Sequence, residues 1–282
     1  MGLHEIAVKL GLAYTSNQEA EMLLAKFIAN KFRAAAKEFE KYVNEKPHTK
    51  TFIQCLMAVW PENNRIKFFY VEDKFLKKYF PDLCGPDHRI EITKSEMWGN
   101  SYAETGYFHG KYLNMYIVAG SIEKSGSSDQ LYQNLDILIS TVYHECDHIY
   151  SESKVSEADD LETSLLYFMD NAEIRAHSKQ IAYLYFKEFT NSKFNYKKLK
   201  NLIETKLKND IKFQQMLSYL ELMRDPYNFK SQIQDNNDYI KNRILTGGHI
   251  ITVSSLRTAF ISYMNYTAYY VGYFNEHPDT EK

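Results

Sequence analysis

Apolar residues recur at helical spacing from residue 17 to residue 45, where Leu, Phe and Ala alternate with Lys and Glu. That period predicts an opening helix, which Pro47 ends. The pattern then shortens. Thr51–Trp60, Ile66–Val71 and Arg89–Thr93 read as strands, with Pro61-Glu-Asn-Asn64 as a turn between the first two. Tyr107–Val118 reads as a hairpin bending near His109-Gly110, with alternation around Leu113, Met115 and Ile117. A long helix is predicted from Ser128 to about Ser153, because Ser127, Ser128 and Asp129 offer caps and neither Pro nor Gly interrupts the run. Beyond Ala172 the period is mainly helical. Lys193–Lys208 forms a lysine-rich amphipathic run, Gly247-Gly248-His249 breaks the pattern, and a Tyr-rich final helix covers roughly Ser254–Tyr273.

The long central helix divides its surface unusually. At about 100° per residue, Leu131, Leu135, Leu138, Ile139, Val142, Cys146 and Ile149 share one broad apolar face. His144 and His148 face the other way, with Ile137, Ser140, Thr141 and Ser151. Residues 144–148 read His-Glu-Cys-Asp-His. Histidines four apart stand one helical turn above each other and can grip one metal ion, and Glu145 then sits where it can take a proton from a metal-activated water. Zinc suits the arrangement, since it accepts neutral imidazole and can keep one position open. The plain alternative is an ordinary amphipathic helix with two satisfied histidines.

Thr141-Val-Tyr-His-Glu-Cys-Asp-His-Ile-Tyr150 resembles the extended signature of the zincin metallopeptidases. It departs from that pattern at Asp147, where the family wants an uncharged residue; a place on the solvated rim of the cleft is expected for this side chain, near Asp136. The metzincin branch is rejected, since Ser151 and Lys154 stand where it needs Gly and His. In the gluzincin branch a Glu from the next helix completes the metal site. Asp170-Asn-Ala-Glu-Ile-Arg-Ala-His177 supplies such a helix, with Glu173 25 positions after His148. The likeness covers about residues 100–190 and extends to compact proteins of the phage-encoded kind. It implies an α+β zincin-like fold: an N-terminal helix, a small mixed sheet, the HExxH helix, and a mainly helical C-terminal lobe. It also implies that Thr105–His109 is an edge strand beside the metal, and that His249, Tyr263 or Tyr266 supplies a donor to the oxyanion.

Two readings of Glu173 remain open. It can be the third metal ligand, or it can pair with Asp170 in a capping box, reaching back to the first amide of its helix. His177, one turn later on the same face, is placed as a residue supporting the ligands or as an alternative ligand. Glu157, Asp159, Asp160 and Glu162 read as a solvated linker between the two helices.

Composition narrows the field. At 282 residues the chain can bury a large core, read as a zincin-like core over 1–190 with a helical lobe over 191–282 packed on it. A net charge of −2 favours neither nucleic acid nor an anionic membrane. Cys55, Cys84 and Cys146 are odd in number and scattered, which points to a reducing, cytoplasmic setting (host cytoplasm or virion, were the chain phage-encoded). No signal peptide and no membrane span are read. The expectation is a zinc-dependent peptidase holding one Zn2+ on His144, His148 and Glu173, with Glu145 as general base and a peptide or protein as substrate. Its rival is a catalytically inactive zincin-shaped structural or binding protein, such as a virion component, whose metal only stabilises the fold.

Overall fold

The computed structural model describes residues 16–60, 68–69, 89–93, 103–109, 112–118, 120–149, 169–186, 197, 201 and 253–277. The elements are α1 (Ser16–Phe39), followed by a short 3-10 turn (Glu40–Tyr42), α2 (Phe52–Val59), β1 (Phe68–Phe69), β2 (Arg89–Thr93), β3 (Ala103–His109), β4 (Tyr112–Val118), α3 (Gly120–Glu123), α4 (Ser128–Asp147), α5 (Asn171–Tyr185) and α6 (Val253–Glu276).

The residues whose side chains are described lie in helices and in the turns beside them. Their buried core is drawn from α1, α2, α3, α4, α5, α6 and those turns. The expected α+β zincin-like fold is corrected accordingly: helix-on-helix packing encloses the candidate site, rather than a sheet-based lobe. One cause is local. Thr51–Trp60, read above as a strand, contains α2. Thr51 caps the helix by accepting from the Gln54 amide while the Gln54 side chain accepts from the Thr51 amide. Phe52, Cys55 and Leu56 then bury at spacings of three and four. A short apolar run carries both periods, and the capping box decides for helix.

For the four strands only the backbone is described. They pair in the order β1-β2-β4-β3, antiparallel, parallel and antiparallel in turn. His109 stands opposite Tyr112 across the β3–β4 bend, and β3 is an edge strand that approaches α4. Of the segment Ile66–Val71, only the two residues of β1 are described.

The helices form a connected series: α2 on α1, α1 on α4, α4 on α5, and α5 on α6. Along α1, Leu24, Ala25, Ile28, Ala29, Phe32, Ala35, Ala36 and Phe39 are all fully buried, which makes a stripe at helical period. Its alanines keep the surface low, so neighbouring helices can lie close. Where α4, α5 and α6 meet, Tyr143 stacks on Tyr183 with centroids 5.0 Å apart, and Phe274 meets both rings edge-on at 5.1 and 5.6 Å. Each such aromatic pair adds about 0.5–1.5 kcal/mol beyond its buried area. This cluster begins at the residue immediately before His144, so the packing that joins the three helices also fixes the turn of α4 that carries His144. Among the described residues no helix is long and apolar enough to cross a membrane.

Candidate metal centre

Helix α4 starts at Ser127, whose hydroxyl accepts from the Gln130 amide, and its regular part ends at Asp147. His148 is the C-terminal cap, in helical conformation, and 148–149 form a closing turn where a longer helix was expected. The predicted apolar face is buried throughout: Leu131, Leu135, Leu138, Ile139, Val142, Cys146 and Ile149 are each at most 7% exposed. The opposite face is buried too in the last turns, with Ser140, His144, Glu145 and Asp147 in the interior. That side is covered by α5. The two helices run antiparallel, since Asp136 of α4 faces Tyr183 of α5 while Asp147 faces Arg175.

Four ligand-type side chains converge between them. The Nε2 atoms of His144 and His148 are 3.2 Å apart. Glu173 places Oε2 3.6 Å from His144 Nε2 and Oε1 3.4 Å from His148 Nε2. His177 Nε2 is 3.8 Å from Glu173 Oε2, and its ring lies 4.4 Å from that of His144. Ligands of a tetrahedral zinc, each ~2.0–2.1 Å from the ion, stand about 3.3 Å from one another. The separations among His144, His148 and Glu173 are near that spacing, with the two Glu173 oxygens each facing one imidazole, while one donor atom apiece from His144, Glu173 and His177 lies within 4.8 Å of the others.

The choice between ligand and cap at Glu173 is also visible in the geometry. Asp170 caps α5 by accepting from the Ala172 amide at 2.8 Å, while the Glu173 carboxylate faces the imidazoles. Burial keeps the His144 imidazole well below its ordinary pKa, with His177 and His148 adding to the effect. Burial, followed by His148, takes His177 down to about 4, against a smaller opposing effect of its hydrogen bond with Gln180. Both rings are therefore neutral at pH 7, the form a metal requires. Glu145 is 8% exposed in the same turn and projects about 60° around the helix from His148.

Asp147 is not on a solvated rim. It is fully buried and holds Arg175 Nε at 2.6 Å, while the Lys179 ammonium contacts its other oxygen. Arg175 also donates to the Asp147 carbonyl at 3.3 Å. Lys179, itself fully buried, reaches Glu21 of α1 at 3.6 Å and lies over the Tyr270 ring of α6 at 5.2 Å. Burial alone would lower the Arg175 pKa; the groups around it, Asp147 first and then Tyr270 and Glu21, together more than reverse this. A helical wheel of α4 sets Asp147 about 60° from His144, but it says nothing of the charges on the opposing helix. The missed signal was on α5, where Arg175 and Lys179 are four apart and each lies two positions after a ligand-type residue.

Of the oxyanion candidates, Tyr263 is fully buried in the core, where its carbonyl accepts from Ser178 Oγ at 3.4 Å. Tyr266 is partly buried and stacks toward Tyr270 at 6.5 Å. His249, the acidic stretch 157–162 and most of the run 193–208 lie outside the described residues.

No family model, no curated protein and no solved structure matches this chain.

Proposed function

We propose that this chain binds one divalent ion, zinc first, through His144, His148 and Glu173, and hydrolyses peptide bonds with Glu145 as the general base. The carrying observation is the spacing of the two Nε2 atoms and the Glu173 carboxylate, 3.2–3.6 Å, on two antiparallel helices. A bound ion would supply Lewis-acid polarisation of a carbonyl and a water made acidic enough to lose its proton near pH 7. Glu145 would take that proton and pass it to the departing amine. Burial of the ligand cluster excludes bulk water and sharpens the electrostatics around it. Cys55 and Cys146, both free and buried, agree with a reducing, cytoplasmic-type compartment.

The test is Glu145→Gln beside the parent protein, with zinc content measured by elemental analysis and hydrolysis by digestion of a broad peptide library. The variant is expected to keep one zinc per chain and lose hydrolysis by at least about 100-fold. Undiminished hydrolysis would reject the assignment of Glu145.

A second reading, an ion that only stabilises the fold, is favoured by one observation: besides His148, His177 also places a ligand-type nitrogen beside Glu173, at 3.8 Å. A zinc-loaded protein that digests no member of the library, yet loses its fold on chelation, would support this reading.

A further inference from the structure

We infer that His177 is the fourth, outermost and exchangeable ligand, so the ion at rest is held by three imidazoles and one carboxylate. This rests on the metal reading above and specifies how its remaining coordination position is filled. Three features point to His177. Its Nε2 lies 3.8 Å from Glu173 Oε2, and His177 belongs with His144 and Glu173 to a group whose donor atoms lie within 4.8 Å of one another, His148 adjoining it through His144 Nε2 at 3.2 Å and Glu173 Oε1 at 3.4 Å. Its ring hydrogen-bonds with Gln180, the kind of outer partner that orients a metal-binding imidazole. Helical spacing also puts it one turn beyond Glu173 on the same face, so both side chains reach the ion from one rigid element.

The exposure of the four side chains gives the direction of opening. Glu173 is 3% exposed, His144 7%, His148 13% and His177 22%. Glu173 is the most enclosed of the four side chains and His177 the least; the His177 Nε2 atom itself is buried, so the outer part of the ring, not its donor atom, faces solvent. The separations differ in the same sense: 3.8 Å to His177 is longer than the 3.2–3.6 Å within the other three. Rotation of the His177 side chain removes one neutral ligand and leaves its position to solvent or to a substrate oxygen, with no change in the charge or oxidation state of the ion. Three ligands then grip, and the fourth governs access.

Cobalt(II) in place of zinc makes this visible, because its absorption bands report ligand number and type. The parent protein, His177→Ala, His177→Asn and Glu173→Gln are loaded with cobalt, checked for helix content by circular dichroism, and titrated with thiocyanate. The parent is expected to take up one cobalt with a four-ligand spectrum and to bind thiocyanate weakly. Both His177 variants should keep the cobalt with affinity reduced roughly 10–100-fold, show shifted bands, and bind thiocyanate more tightly than the parent. Spectra and thiocyanate affinities identical to the parent in both variants, with cobalt retained, overturn the role of His177 while leaving the three-ligand centre intact. A parent protein that takes up no cobalt, and is indistinguishable from Glu173→Gln, overturns the metal reading itself and this inference with it.

Discussion

Asp147 and Arg175 form an ion pair, 2.6 Å from Oδ2 to Nε, on the side of the α4–α5 contact away from the ligand cluster. Glu173 and His177 occupy one stripe of α5; Arg175 and Lys179, each two residues later, occupy another about 200° around the helix. On α4, His144 and His148 share a stripe with Asp147 to one side. The same pair of helices is therefore joined twice within a few residues, once by the ligand cluster and once by buried opposite charges. Sliding α5 by one turn would separate Asp147 from both of its cations and Glu173 from both imidazoles. The residue that departs from the zincin pattern thus anchors the helix that carries the proposed third ligand.

Asp147→Asn is expected to be strongly destabilising. It leaves Arg175 and the fully buried Lys179 without their principal counter-charge, and breaking a buried pair from one side costs about 3–5 kcal/mol. Replacing both ends of the closest pair with apolar residues, as in Asp147→Leu with Arg175→Met, should cost less than Asp147→Asn alone, because Arg175 is no longer stranded and Lys179 keeps Glu21 at 3.6 Å. Urea unfolding of the three proteins decides this; a single variant within about 0.5 kcal/mol of the parent would show the network to be energetically idle.

How much of this was legible in the sequence depends on whether the signal was local. His144, His148, Glu173 and His177 were identifiable because two helices with an i, i+4 spacing each announce their faces. The apolar face of α4 was readable for the same reason, and every one of its seven predicted members is buried. The Asp147 network was not readable, since its members come from α1, α4 and α5 and meet only in three dimensions. The expected fold class and the structure part company first at α2, where β-branched and aromatic residues favour a strand while the Thr51–Gln54 capping box sets a helix. The zincin resemblance then added a sheet-based lobe around the site, whereas α1, α5 and α6 supply the packing.

Thr51→Ala tests that local reading. It removes the hydroxyl that accepts from the Gln54 amide at 3.2 Å, and loss of such a cap typically costs about 1 kcal/mol. Thr51→Ser keeps the oxygen and should recover most of the loss. Thermal or urea unfolding measures both, and an alanine variant as stable as the parent would mean that packing of Phe52, Cys55 and Leu56 alone holds α2.

Cys146 lies within the HExxH string, so its chemistry bears on the mechanism. It is fully buried on the apolar face of α4, and burial pushes its thiol well above the usual range. Thiolate is the reactive form, so at pH 8 the native protein should leave Cys146 unmodified by iodoacetamide, while urea-unfolded protein is alkylated within the same time. Peptide mass spectrometry reads the position directly. Fast native modification of Cys146 would mean that the turn bearing the histidines opens to solvent, contrary to a sealed centre.

Metal and fold should be thermodynamically linked. An ion that binds the folded chain and not the unfolded one stabilises it by RT ln(1 + [L]/Kd), about 2.7 kcal/mol at a hundredfold excess over Kd. For a chain of 282 residues that corresponds to a rise in Tm of roughly 4–5 °C. Zinc addition is therefore expected to raise the Tm of the chelator-treated protein by that amount. In Glu173→Gln the increment should largely vanish, because the amide is a poor zinc ligand and one of the three closely spaced donors is lost. His148→Ala should abolish it as well, along with stoichiometric zinc in elemental analysis. Glu145→Gln, outside the ligand set, should retain the full increment, which separates a base from a ligand by a measurement that does not require activity. An equal zinc-induced rise in the parent, Glu173→Gln and His148→Ala would place the ion elsewhere in the chain.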